Sequence, residues 1–175
     1  SDGPLLFWVG KDVPDGKRLE QDYLGALVHL HDTHASAAST YGQSASLIGY
    51  VDRPTSAFVI SLLHLLGLED DNVREAALKN NGELEGLIDQ RLMFRLLQPG
   101  ERSAVMVQQS PQNKRYHDKG ESYEIAFFYL NVGHEEGYHL ARVEMPMWVA
   151  RSQPLLDCVH ALTFDQCQLM WRYPY

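Results

Sequence analysis

Apolar positions recur along the chain with two periods, and the change from one to the other outlines the fold. Leu5 to Val9 is a short apolar run that predicts a strand, followed by a turn at KDVPDGK with Pro14 and Asp15-Gly16 as punctuation. From Arg18 to about Thr40 the spacing is helical, with Leu19, Tyr23, Leu27, Leu30, His34 and Ala37 or Ala38 at three- and four-residue steps. SLIGYV predicts a second strand, ended at Arg53-Pro54 because proline cannot donate to a ladder. Thr55 or Ser56 is placed to cap a helix that runs to Leu66 and stops at Gly67. EDDNVREAALKNNGE, polar, acidic and broken by glycine, is the most loop-like stretch.

Leu84 to Leu97 is helical again, with Leu84, Leu87, Ile88, Leu92 and Leu96 on one side and Pro99-Gly100 ending it. The period then becomes two. SAVMVQQS predicts a strand, QNKRYHDKGES a basic, turn-rich excursion, and YEIAFFYLNVG a strong strand whose continuous apolar run indicates burial on both faces. EEGY predicts a hairpin into HLARVEMPMWV, where Ala141, Val143 and Met145 alternate against Arg142 and Glu144. Pro154 opens a last helix from Leu155 to about Trp171. Strands alternating with helices, then an antiparallel run, predict an α/β or α+β domain with a mixed sheet.

Composition narrows the class. The chain has 175 residues, 45% hydrophobic and 22% charged, as expected of one globular domain with a substantial core. A net charge of -8 argues against a protein that coats nucleic acid through a basic surface. It leaves room for a metal-dependent nuclease, whose clustered carboxylates hold divalent cations. Cys158 and Cys167 are nine apart in one predicted helix, too far for a disulfide, and both are expected as small core residues in a reducing compartment. No apolar run is long enough to span a bilayer, and no basic segment precedes the first one, so a cytoplasmic protein without membrane contact is expected.

Most chemical motifs are missing. His29, His31 and His34 lie in HLHDTH, but only His31 and His34 share a helix face and there is no HExxH, so a wet, packed face is the expectation. GxSxG, GxxxxGK[ST] and GxGxxG do not occur. The FFYL aromatics lack the glycine and basic pattern of an RNA-binding sheet. Two polar clusters survive. Asp52 and Arg53 sit at a strand end before a helix N-terminus, a junction suited either to an anion or to an ion pair that closes the turn. Lys114, Arg115 and Lys119 reverse the local charge beside Tyr116 and His117, which fits either a phosphate contact or a solvated loop. Asp2 gains meaning only if other carboxylates converge on it; Asp52 and Glu144 are candidates that spacing does not decide between.

The order of SDGPLLFW, GYVDRPTS, RLMFRLLQPGERSAV, QSPQNKRY, IAFFYLNVG, ARVEMPMWVA, LLDCVHALTFDQC and YPY resembles the NurA nuclease domain, closest to its bacterial members, through nearly the whole chain. The resemblance implies a single domain over residues 1–175 with an RNase H-like core, an α/β fold whose mixed, partly antiparallel sheet is flanked by helices. It implies a homodimeric, Mn²⁺-dependent (or Mg²⁺-dependent) 5′→3′ exonuclease and single-strand endonuclease. Its partners would be DNA and a HerA-type hexameric ATPase, in DNA end processing, recombination repair or defence.

By the same resemblance Asp2 matches an active-site Asp and metal ligand of a DG motif, and Tyr173 matches the Tyr of a YP motif. Gly3-Pro4 stands where Gly-Ser is common. A further Asp, a Glu and a His of the family pattern have no counterpart, so the chain is expected to be the middle-to-C-terminal portion of such a domain, incomplete at its active site. Arg53, Lys114 and Arg115 are expected phosphate contacts on charge alone. The contrasting expectation is a non-catalytic module of the same fold that docks on the ATPase and lines a DNA channel.

Overall fold

The computed structural model describes residues 3–7, 9–10, 12–41, 45–68, 81–133 and 139–169. Four strands form one sheet in the order β1-β4-β3-β2: β1 (Gly49–Asp52), β2 (Met106–Val107), β3 (Ile125–Asn131) and β4 (Leu140–Pro146). Every pair among them is antiparallel. The helices among the described residues are α1 (Gly16–Tyr41), α2 (Phe58–Leu66), α3 (Asp89–Leu96), α4 (Pro111–His117), α5 (Met147–Ala150) and α6 (Gln153–Leu169). The protein is therefore α/β, with helices flanking an antiparallel sheet, and this arrangement is compatible with an RNase H-like core.

β3 carries the core. All seven of its residues are buried, as its unbroken apolar run predicts. Its two faces serve two layers. Phe128 and Leu130 pack with Val143, Met145, Tyr50, Val149, Leu156 and Cys167, the layer under α5 and α6. Phe127 and Tyr129 pack with Met93, Leu97, Leu140 and Phe58, the layer under α2 and α3. A third cluster joins Leu24 and Leu27 of α1 to Leu5, Tyr116 and Ile125. Each large apolar side chain so buried contributes about 2 kcal/mol.

Several elements differ from the sequence pattern, each for a local reason. Among the described residues of the Leu5–Val9 stretch none joins a ladder; Gly3 bridges to Tyr50, and the Leu5 amide is taken by a side chain instead of a strand. In α1, Leu19 is 48% exposed, and the buried face is Leu24, Leu27 and His31. The predicted helix Leu84–Leu97 divides into a 3₁₀ turn, Gly82–Leu84, and α3, because Gly86 adopts φ 78° between them.

SAVMVQQS keeps only Met106–Val107 in the ladder, with a separate bridge from Arg102 to Leu130. The basic excursion is a helix, α4: Ser110 accepts from the Asn113 amide as its cap and Pro111 occupies the first turn. β4 is not half-solvated, since Glu144 opposite the apolar set is 1% exposed. Cys167 is buried but Cys158 faces solvent, which corrects the expectation of two core thiols. The polar stretch 69–80, the predicted hairpin residues 134–138 and Trp171 lie outside the described residues.

Candidate functional site

The polar residues gather at three places on the sheet. At the end of β1, Asp52 forms an ion pair with the buried His139 through Oδ1 and with Arg53 Nε through Oδ2 at 3.1 Å. Arg53 adopts φ 46°, a left-handed conformation costly for a side-chain-bearing residue, at the turn where the chain leaves the sheet. Beside them Cys167 Sγ donates to the Tyr50 hydroxyl at 3.6 Å, and burial pushes the thiol up from its ordinary range.

Of the two readings open for this junction, the ion pair is the one made. The N-terminus of α2 is filled from within. Asp89 of α3 accepts from the Val59 and Ile60 amides through Oδ1 at 2.9 and 3.0 Å, so neither Thr55 nor Ser56 caps the helix; Ala57 holds the cap position without a side-chain bond. Asp89 Oδ2 accepts from the Tyr129 hydroxyl at 2.6 Å, and that hydroxyl also meets Ser56 Oγ at 2.9 Å. Desolvation, then the Asp89 bond, raise the Tyr129 phenol well above its ordinary range. A buried carboxylate with these partners behaves as an internal anion for the helix dipole.

The third cluster lies on the sheet face opposite Asp52, the face that also carries Tyr129. Residues directly paired across strands project to one side, so Glu144 and Arg142 share the face of Gly49 and Val51, whereas Asp52 and Ala141 share the other. Asp52 and Glu144 therefore do not converge. Glu144 Oε1 meets Arg142 Nη2 at 2.5 Å, and Oε2 accepts from the Leu5 amide at 2.6 Å. The Arg142 guanidinium stacks over Phe58 and Phe127, 5.6 and 5.5 Å from their ring centres.

Among the described residues no three His, Cys, Asp or Glu side chains are arranged to hold a metal ion. Asp52 is already engaged by His139 and Arg53, and Glu144 by Arg142, so these residues on their own do not fit a divalent cation. His31 is buried with both ring nitrogens lacking a hydrogen-bond partner, as does Nδ1 of the neighbouring His34. The Trp148 indole stands edge-on 6.4 Å away, and its Nε1 is equally unpartnered. Burial, then His34, push the His31 imidazole down to about 4.

Of the residues singled out in the sequence, Asp2 and Tyr173 lie outside the described residues. Gly3, which follows Asp2, donates its amide to the Tyr50 carbonyl at 2.8 Å. Lys114 and Arg115 are exposed neighbours on α4 with different surroundings. Arg115 pairs with Glu20 of α1 and, with the Val9 amide, holds that carboxyl below its usual range. Lys114 lines a cleft with Gln108, Gln109, Ser110, His117 and Glu124. Arg53 stays with Asp52 at the end of β1.

Sequence reasoning missed Asp89, His139 and the strap formed by Glu144. The available signal was a carboxylate inside an apolar pattern, in LIDQRL and in ARVEMP, since a charge buried there must have a partner.

Comparison with curated proteins and with solved structures returns no match. The family model described as the NurA domain matches residues 1–171. With the motif order and this sheet, that match over nearly the whole length means that the chain belongs to the NurA family, a nuclease-related family.

Proposed function

We propose that this chain is the nuclease domain of a metal-dependent deoxyribonuclease, a 5′→3′ exonuclease and single-strand endonuclease. In this reading it processes DNA ends as a homodimer with a HerA-type hexameric ATPase, in recombination repair or defence, in the cytoplasm. The observation that carries the reading is the NurA-domain match over residues 1–171. Asp2 is the proposed Mn²⁺ (or Mg²⁺) ligand, and Tyr173 the proposed contact to a phosphate oxygen. Bound metal would polarise the phosphate and acidify its water. Lys114, Arg115 and Arg53 are proposed backbone-phosphate contacts, Lys114 first, because Arg115 and Arg53 already hold carboxylates.

The test is cleavage of single- and double-stranded DNA by the purified protein with Mn²⁺, with and without the ATPase. The Asp2→Asn variant is expected to lose at least a hundredfold in rate while its melting curve stays that of the wild type. Full activity in Asp2→Asn removes Asp2 from the site.

A second reading is favoured by a specific observation: Asp52 and Glu144, the carboxylates on the strands nearest Gly3, serve internal ion pairs. The domain then acts as a scaffold that docks the ATPase and lines a DNA channel. It predicts DNA-stimulated association with the ATPase and no cleavage at any Mn²⁺ concentration.

A further inference from the structure

The stretch that follows Asp2 is held to the sheet from several sides, and one group in that arrangement is costly to keep. The Gly3 amide donates to the Tyr50 carbonyl at 2.8 Å. Two residues on, both backbone groups of Leu5 are captured by side chains: its amide donates to Glu144 Oε2 at 2.6 Å, and its carbonyl accepts from the Tyr116 hydroxyl at 3.1 Å. The Leu6 amide approaches the same carboxylate oxygen at 3.5 Å. The Leu5 side chain is fully buried among Leu24, Leu27, Tyr116 and Ile125.

β1 is shaped to receive this stretch. A Cβ added at Gly49 would come within 2.9 Å of Leu5 Cγ, 3.0 Å of the Gly3 carbonyl oxygen and 3.1 Å of the Leu5 nitrogen. Only a residue without a side chain lets the segment lie this close.

Burying a carboxylate such as Glu144 is unfavourable unless it is paired and hydrogen-bonded. Arg142 supplies the pairing charge, and the Phe58 and Phe127 rings hold Arg142 in turn. An apolar residue would fill the same space at less cost, but it would leave the Leu5 amide without an acceptor. The one thing the charged pair adds is a fixed backbone path for residues 3–6.

We propose that Glu144, with Gly49 as its counterpart across the segment, is a positioning residue that fixes the backbone immediately after Asp2. Its role in the reaction rests on the nuclease reading above, in which Asp2 belongs to the reacting site. Catalysis needs its groups held to a fraction of an ångström, so a tether three residues away is where loosening is felt as lost rate.

The experiment compares the full chain with Glu144→Gln and Gly49→Ala by backbone hydrogen exchange and by DNA-cleavage kinetics in Mn²⁺. Expected are folded variants whose Gly3, Leu5 and Leu6 amides exchange at least tenfold faster, with kcat down at least tenfold and KM for DNA within twofold. Should Glu144→Gln fail to fold, Gly49→Ala leaves the Glu144–Arg142 pair intact and decides by the same readouts. Unchanged exchange in a folded variant overturns the tether. Faster exchange with wild-type kcat, or a loss carried by KM, overturns its positioning role. A full-length wild-type protein that cuts no DNA overturns the nuclease reading and the kinetic role with it, while exchange still reports on the tether alone.

Discussion

The Tyr129 hydroxyl donates to Asp89 Oδ2 over 2.6 Å, joining the middle of β3 to the first residue of α3. Asp89 Oδ1 meanwhile accepts from two amides of α2. One buried carboxylate thus ties two helices and the central strand together, on the sheet face that also carries the Glu144–Arg142 pair.

Asp89→Ala removes a helix cap and strands a buried phenol, so it is expected to cost about 3 kcal/mol. For a domain of this size that lowers Tm by about 6–12 °C. Tyr129→Phe is expected to cost about 1–2 kcal/mol. A double-mutant cycle by urea unfolding should give a coupling of about 1 kcal/mol or more between them. Strict additivity would mean that the bond contributes nothing.

His31 makes stability depend on pH. Its folded-state pKa lies at about 4, below the ordinary 6.5. Well above pH 6.5 the ring is neutral in both states and has no effect. Between 6.5 and 4 the unfolded chain takes up a proton that the folded chain refuses, so stability falls as pH falls. The loss between pH 7 and 4.5 is on the order of 2 kcal/mol, from the relation of about 1.4 kcal/mol per pKa unit. Urea unfolding at the two pH values measures it, and His31→Leu is expected to reduce the difference by that amount.

Lys114 and Arg115 are adjacent on α4 but are expected to behave differently. Lys114→Ala should lower DNA affinity and reduce the slope of log K against log salt by about 1. Arg115→Ala should move the Glu20 carboxyl back up toward its ordinary value, because Arg115 is the first cause of its depression. Carboxyl-resolved NMR titration checks the second, and binding isotherms at several salt concentrations the first. An unchanged salt slope in Lys114→Ala removes that residue from the DNA-contacting surface.

How much was legible beforehand depends on whether partners are near in sequence. β3 was, because a strand buried on both faces must be apolar throughout, and IAFFYLN is. The course of α1 was also legible, since helical periodicity is a local property; its buried face was not, and Leu19 points to solvent. α4 was hidden because its charged side chains carry no apolar stripe, and Ser110 and Pro111 were the only local start signals. The anion-ready terminus at α2 was misjudged for a different reason: the carboxylate that fills it lies thirty residues away from the amide it caps.

The amino-acid sequence by itself determined the family through its motif order, the α/β class through its periods, and the strongest strand through its unbroken apolarity. These are local or ordered properties, set by the side chains along the chain. Only the tertiary structure decided where each charge finds its partner. Spacing left Asp52 and Glu144 equal candidates to join Asp2, and strand register sent them to opposite faces of the sheet, one to His139 and one to the Leu5 amide. A buried charge must be neutralised wherever the fold puts it, and that position depends on pairings between segments up to 139 residues apart.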